Sequence, residues 1–243
     1  MDAKISVNQI KKKFNALPVV DGVDFSVADG EFVAIVGPSG CGKSTLMKIV
    51  AGFEHPDEGS VNIDGKPMTR PSPKGIVISQ HGSVFPWLTV QQNLMFGLNG
   101  DQQHGEKAAL ADHYAEMVGL KGFENAYPHE LSGGMLKRAE IARALVVKPE
   151  ILYMDEPFSA LDALMNLKMR NELLRVLSEE RHTVLLITHD VEEAIYLADR
   201  ILVLSPRPTR IQGSFKVDQP HPRKLSTPEL QQLKEDILSQ LGL

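Results

Sequence analysis

The sequence has 243 residues, of which 42% are hydrophobic and 23% are charged. These fractions match globular domains and exclude disordered, collagen-like and coiled-coil chains. The length predicts one large domain, or a core with a modest insertion. A formal net charge of -5 provides no basic surface of the kind that binds nucleic acid, so nucleic acid is not expected as a partner.

The cysteine content and the first residues of the sequence indicate the cellular compartment. Cys41 is the one cysteine, and it cannot form an intrachain disulfide, which favours a reducing cytosol. The N-terminal residues lack the apolar core of a secretory signal. Apolar runs are far shorter than the roughly 20 residues of a membrane-spanning helix. We therefore expect a cytoplasmic protein that reaches a membrane only through a partner.

The first elements along the chain are predicted to be antiparallel strands, because apolar and polar residues partly alternate over residues 5–27. Short uninterrupted apolar runs then alternate with helix-length segments, which is the pattern of buried parallel strands in an α/β fold. The predicted core strands are residues 32–36, 76–78, 151–154, 184–188 and 201–204.

Helical patterns replace the strand signal between residues 89 and 148, where they cover residues 90–98, 106–120 and 134–147. We predict a single domain over residues 1–243, with a core at about 1–85 and 149–204 and a helical subdomain at about 86–148. A short extension follows at 205–243, in which Thr227 and Pro228 begin an amphipathic helix. Its apolar residues are Leu230, Leu233, Ile237, Leu238 and Leu241.

A glycine-rich loop follows the strand at residues 32–36 and precedes a helical segment at 45–51. It fits the pattern G-x-x-x-x-G-K-[ST] in the required strand–loop–helix setting. Backbone N–H groups of such a loop face phosphate oxygens, and the helix N-terminus adds positive potential. Lys43 is predicted to neutralise the β and γ phosphates and Ser44 to hold Mg²⁺. Cys41 is either a reactive thiol or, as we favour, a small filler residue. The loop consists of Gly37, Pro38, Ser39, Gly40, Cys41, Gly42, Lys43, Ser44 and Thr45.

Polar residues follow three other predicted strands. Asp155 and Glu156 follow the strand at 151–154. Asp155 suits the surroundings of Mg²⁺, and Glu156 can polarise a water for attack on the γ phosphate. A plain acidic N-cap is the alternative for this pair. His189 follows the strand at 184–188 and is placed to contact the γ phosphate, although a structural role is the commoner one for such a histidine. The amide carbonyl of Gln80 can reach Mg²⁺ or the attacking water.

A second anion-binding arrangement precedes the helical segment at 134–147, with Ser132 as N-cap and Gly133 and Gly134 exposing backbone amides. Together with the phosphate loop, Gln80, the acidic pair, residues 159–162 and His189 in this order, it makes the chain resemble the nucleotide-binding ATPase subunits of ATP-binding cassette (ABC) transporters. The resemblance covers about residues 5–204. It implies a P-loop NTPase, RecA-like core sheet with an N-terminal antiparallel β subdomain and a helical signature subdomain.

The resemblance also implies that ATP and Mg²⁺ are bound between two copies of the chain. The signature residues of one copy would close over ATP held by the other, with Asp162 linking the two sites. Phe14 matches the aromatic residue that stacks on adenine, and a core position in the β subdomain is the alternative. The signature departs from the usual pattern at Met135, Leu136 and Lys137, where Gln, a basic residue and Gln are frequent. Closure over ATP should survive this change, because Ser132 and the glycines are intact.

The transport partners are also implied by resemblance. Residues 83–88 form an apolar aromatic cluster at the place where the family receives a short helix of the membrane subunit; packing within the insertion is the alternative. Residues 86–90, 133–135 and 204–208 resemble the import ATPases for nitrate, sulfonate and taurine. We therefore expect integral membrane permease subunits and a solute-binding protein as partners, and a peripheral location on the inner face of the cell membrane. An exporter or lipid transporter is the alternative, whereas cassettes that act on DNA or ribosomes are usually longer.

Overall fold

A computed structural model describes residues 3–80, 82–98, 104–179 and 182–243. The strands are β1 (Ala3–Phe14), β2 (Leu17–Ala28), β3 (Phe32–Val36), β4 (Glu58–Ile63), β5 (Lys66–Pro67), β6 (Gly75–Ile78), β7 (Ile151–Asp155), β8 (Thr183–Ile187), β9 (Arg200–Leu204) and β10 (Ile211–Lys216). The helices are α1 (Lys43–Val50), α2 (Val90–Met95), α3 (His104–Met117), α4 (Gly133–Leu145), α5 (Ala163–Glu179), α6 (Val191–Leu197) and α7 (Pro228–Leu241).

The chain divides into two compact units. The first comprises the described residues of Met1–Gly75, Tyr153–Asp155 and His182–Leu243, and the second those of Ile76–Leu152 and Glu156–Arg181. The chain is mixed α/β, as the sequence predicts.

One sheet of the first unit has the strand order β2-β1-β4-β5. β1 and β2 are antiparallel, with Val7 opposite Phe25, and β4 lies antiparallel along the other edge of β1, with Val7 opposite Val61. Burial partly alternates along both long strands, which explains the partial alternation of apolar residues in the sequence. The predicted antiparallel strands are confirmed, whereas no sequence pattern predicts β4 or β5.

The other sheet has the strand order β10-β9-β3-β8-β7-β6. β3 is parallel to both β8 and β9, with Phe32 opposite Val184 and Val33 opposite Arg200. Every residue of β3, β7 and β8 is buried, as expected of strands that are covered on both faces. Their uninterrupted apolar runs therefore predict them correctly. β10 is antiparallel to β9 and is not predicted.

The helices position the remaining motifs. The predicted helical segments between residues 90 and 147 are present as α2, α3 and α4, whereas α5 and α6 have no counterpart among the predictions. α7 begins at Pro228 after the N-cap Thr227, as predicted, and buries Leu230 and Ile237. None of the helices that the structure describes is long and apolar enough to cross a membrane.

Candidate nucleotide site

The glycine-rich loop connects β3 to α1, and Gly42 is the residue before the helix. Gly42 has a φ of 121°, which side chains rarely allow. A Cβ atom at this position would lie 2.9 Å from Cγ1 of Val19 and 3.2 Å from Oγ1 of Thr209. Both the backbone conformation and the close approach of β2 therefore require glycine here.

Lys43 is the first residue of α1, and its side chain is buried. Its Nζ atom donates hydrogen bonds to the carbonyl oxygens of Gly37 and Pro38, at 2.8 and 3.0 Å. A buried ammonium group needs such acceptors, because burial without them is costly. Phosphate oxygens are charged and therefore accept more strongly than carbonyls. The Lys43 ammonium group is thus held within the loop by two carbonyl oxygens, and the phosphate oxygens of a bound nucleotide would replace these as its acceptors.

Thr209, which lies in no sequence motif, holds the same loop from the segment after β9. It is fully buried, its hydroxyl donates to the Cys41 carbonyl, and its backbone N–H donates to the Val19 carbonyl at 2.9 Å. The Cys41 thiol is also buried, and its Sγ atom would lie 3.2 Å from a Cβ at Gly37. This tight packing favours the filler role for Cys41. No local pattern indicates Thr209, because 168 positions separate it from Cys41.

Asp155 and His189, both in the first unit, lie at strand ends. Asp155 is the last residue of β7 and is 8% exposed, and His189 follows β8 with an exposed side chain. The phosphate loop and His189 leave the sheet at the same edge, because β3 and β8 are parallel neighbours. The next residue, Asp190, caps α6 by accepting from the backbone N–H groups of Glu192 and Glu193 at 2.9 and 3.1 Å.

Phe14 is the last residue of β1. Its side chain is 45% exposed, and Nζ of Lys12 lies 5.3 Å from the ring centroid. The alternative of a core position is therefore excluded. An exposed ring at the end of a strand is free to stack on a flat ligand.

The second unit brings Gln80 and Glu156 together. The Gln80 side-chain amide donates to Oε2 of Glu156 at 3.4 Å, which is a long hydrogen bond. Glu156 has a φ of 48°, in the left-handed region, which costs about 1–2 kcal/mol for a residue with a Cβ atom. Such strain is found most often at functional sites. The contact with Gln80 and the strained backbone together mark Glu156 as a candidate functional residue.

The signature residues begin α4. The Ser132 hydroxyl accepts a hydrogen bond from the backbone N–H of Met135 at 3.3 Å, which confirms the predicted N-cap, and Gly133 and Gly134 form the first turn. Asp162 has a comparable local role, because its carboxylate accepts from the backbone N–H of Met165 at 3.0 Å, just before α5. Both residues are exposed, so their side-chain oxygens are accessible to a further hydrogen-bond donor.

Phe85, Trp87 and Phe96 form an aromatic patch in the second unit. The ring of Phe85 lies 4.5 Å from that of Phe96 and 5.4 Å from that of Trp87, between centroids. Trp87 is 68% exposed and Phe96 63% exposed. The side chain of Asn93 fixes the patch by accepting from the Phe85 N–H at 2.7 Å and donating to its carbonyl at 3.1 Å. Phe85 packs within the unit while the other two rings stay accessible.

The first unit contains two of the oxygen donors that the sequence predicts for a magnesium ion. Within the described parts of the chain, no group of three or more His, Cys, Asp or Glu side chains could hold a metal ion. The Ser44 hydroxyl and the Asp155 carboxylate are oxygen donors of the kind that Mg²⁺ prefers. These residues fit an ion that takes its other ligands from phosphate oxygens and water.

The family of the chain follows from a comparison with family models. The model described as "ABC transporter" matches residues 20–159, which is more than half of the chain. The chain belongs to the ABC transporter family. It is therefore an ABC ATPase, as the order of its motifs predicts.

Curated relatives match this ABC ATPase over most of its length. A Brucella abortus protein, provisionally named an ATP-binding protein, is 48% identical over 92% of this chain and 86% of its own. The aliphatic sulfonates import ATP-binding protein SsuB of Bacillus cereus is 39% identical over 97% of this chain and 95% of its own.

A solved structure described as a dimeric bacterial ABC transporter cassette, MJ0796, is 29% identical, with a TM-score of 0.80, over 88% of this chain and 99% of its own. A second structure of that cassette, in a post-hydrolysis state bound to ADP and Pi, has a TM-score of 0.79. The predicted P-loop NTPase fold is confirmed by these matches.

Proposed function

We propose that this ABC ATPase powers a membrane importer for a small anionic or organic solute, with sulfonates as the best-supported class and nitrate or taurine as related ones. The observation that carries the proposal is the 39% identity to a sulfonate import ATPase across 97% of this chain. An exporter or lipid transporter is the less favoured alternative, because three relatives at 39–40% identity over 97% of this chain are named as import ATP-binding proteins.

The proposed chemistry is phosphoryl transfer to water, in which positioning and charge neutralisation do most of the work. The phosphate loop and Lys43 bind the phosphates of ATP, and Ser44, Asp155 and Gln80 are the candidates to hold Mg²⁺, which would neutralise charge on the β and γ phosphates. Glu156 acts as general base for the attacking water, and the Gln80 amide orients its carboxylate. His189 contacts the γ phosphate.

The proposed assembly is a dimer of this chain bound to permease subunits on the inner face of the cell membrane. Ser132, Gly133 and Gly134 would close over ATP held by the second copy, and Asp162 would link the two sites. Phe14 would stack on adenine, which its exposed ring supports. The aromatic patch would receive a helix of the permease, because an accessible cluster of aromatic rings is typical of protein interfaces.

The general-base role is tested with Glu156→Gln, which keeps the size of the side chain but removes the base. We expect unchanged ATP binding, turnover reduced by about 100-fold or more, and a dimer that persists in gel filtration with MgATP. Glu116→Gln is the matched control, because Glu116 is an exposed glutamate paired with Lys121 at 2.7 Å. Wild-type turnover in Glu156→Gln would contradict the assignment.

The direction of transport is tested by purifying the chain with its permease and reconstituting the complex in liposomes. An importer should show ATPase stimulation by a solute-binding protein loaded with an alkanesulfonate on the side opposite the ATPase. Stimulation by lipid or drug without any binding protein would instead support the exporter alternative.

A further inference from the structure

A buried ion pair lies on the helix that follows the signature residues. Nζ of Lys137 is 3.0 Å from Oε2 of Glu140, and the two side chains are 5% and 2% exposed. Removing two charges from water costs several kcal/mol per ion, so a pair of this kind persists only where further hydrogen bonds satisfy it. The partners of this pair therefore indicate what it holds in place.

These further hydrogen bonds all reach the segment around Gln80. Lys137 donates to the carbonyl oxygen of Ser79, the residue immediately before Gln80. Oε1 of Glu140 accepts from the Ser83 hydroxyl at 2.6 Å and from the Ser79 hydroxyl at 3.4 Å. The ion pair thus attaches α4 to the chain on both sides of Gln80.

The attachment continues from Ser83 to the aromatic patch. Nη2 of Arg143 lies 2.6 Å from the Ser83 hydroxyl oxygen, and the Arg143 guanidinium lies 5.0 Å from the Phe85 ring centroid. Gln80 itself is exposed, and its amide contact with Glu156 is the long one described above. Its placement therefore depends strongly on how its neighbours in the chain are held.

We propose that the Lys137–Glu140 pair is a positioning element that holds Ser79 and Ser83 against α4 and thereby places the Gln80 amide beside Glu156. The inference rests on the roles that the proposed function gives to Gln80 and Glu156. A pair that only stabilises the fold can be replaced by apolar residues of similar volume, often without loss. A positioning pair cannot, because methionine and leucine offer no donor to the Ser79 carbonyl and no acceptor to the Ser83 hydroxyl.

The test uses the variant Lys137→Met/Glu140→Leu of the whole chain, with steady-state ATPase kinetics, ATP binding and thermal unfolding. We expect a folded protein with unchanged affinity for ATP and a kcat at least fivefold below wild type. In a Gln80→Ala background the same two substitutions should lower kcat by less than a further twofold, because they act through Gln80. Lys121→Gln/Glu116→Gln is the control, since it removes an exposed lysine–glutamate pair from the same unit.

Three results would overturn the inference. The first is wild-type kcat in the folded double variant, and the second is a full fivefold loss in the Gln80→Ala background. The third is wild-type kcat in Gln80→Ala alone, which would show that the proposed function assigns Gln80 wrongly. If the double variant does not fold, Ser83→Ala replaces it, because this half-buried residue can lose its hydroxyl while the ion pair stays. Its loss of kcat should likewise disappear in the Gln80→Ala background, and additive losses would refute the proposal.

Discussion

Replacing Arg223 should destabilise the protein more than any exposed arginine, because its guanidinium binds four backbone carbonyls. It donates to Ile195 and Ala198 at 2.8 and 2.7 Å, and to Gln219 and Val217 at 2.8 and 3.3 Å. The first two carbonyls belong to the C-terminal end of α6, where a cation also complements the helix dipole. Burial lowers the pKa of this guanidinium, because the charged form loses contact with water. A hydrogen bond from a charged group contributes about 1.5–3 kcal/mol, and such contributions are not additive. We therefore expect Arg223→Met to lower the free energy of unfolding by about 3–5 kcal/mol.

Urea unfolding followed by circular dichroism measures this loss. Arg210→Met is the matched control, because Arg210 lies in the same C-terminal extension but forms an exposed ion pair with Asp21. Its midpoint should stay close to that of wild type. Equal midpoints for the two variants would refute the reasoning, since they would show that the four carbonyl contacts contribute nothing beyond an exposed pair.

Two further predictions concern residues that the sequence does not single out. Thr209→Val removes the hydroxyl that donates to the Cys41 carbonyl, so it should lower the free energy of unfolding by about 1–3 kcal/mol and weaken ATP binding. Thr209→Ser keeps the hydroxyl and should restore both properties. A valine variant with wild-type affinity for ATP would exclude this role. The Tyr153 hydroxyl is buried without a hydrogen-bond partner among the described residues, so Tyr153→Phe should be as stable as wild type at pH 7. Burial raises the pKa of the Tyr153 phenol. Above pH 10 the unfolded phenol ionises while the folded one stays protonated, so wild type should lose up to about 1.4 kcal/mol per pH unit relative to Tyr153→Phe; parallel pH profiles in urea titrations would contradict this.

The sequence predicts best those strands in which every residue is buried. β3, β7 and β8 are buried at every residue, so their apolar runs are visible without any knowledge of the fold. The phosphate loop is likewise local, because its glycines and lysine are consecutive. β4 escapes prediction, because its first three residues are exposed and its strand conformation comes from pairing with β1.

The candidate site shows the same division. Its motifs lie at strand and helix ends, where local sequence indicates them. The contacts that hold those motifs join residues far apart in the chain, as Lys137 and Ser79 do across 58 positions. The sequence marks Lys137 as a departure from the usual signature, but it does not reveal that a buried carboxylate and the Gln80 segment are its partners.

His189 and Gln80, which are both proposed to act in ATP hydrolysis, differ in how the chain around them is held. Backbone N–H groups on both sides of His189 are hydrogen-bonded: that of Thr188 donates to the Ile35 carbonyl at 3.2 Å, and that of Asp190 donates to the Thr188 hydroxyl at 3.0 Å. These bonds oppose a displacement of the His189 backbone. The side chains of Lys137 and Glu140 hold the chain on both sides of Gln80, and a side chain can change rotamer without a change in the fold. We therefore expect that a conformational step in ATP hydrolysis would move the backbone of Gln80 more readily than the backbone of His189.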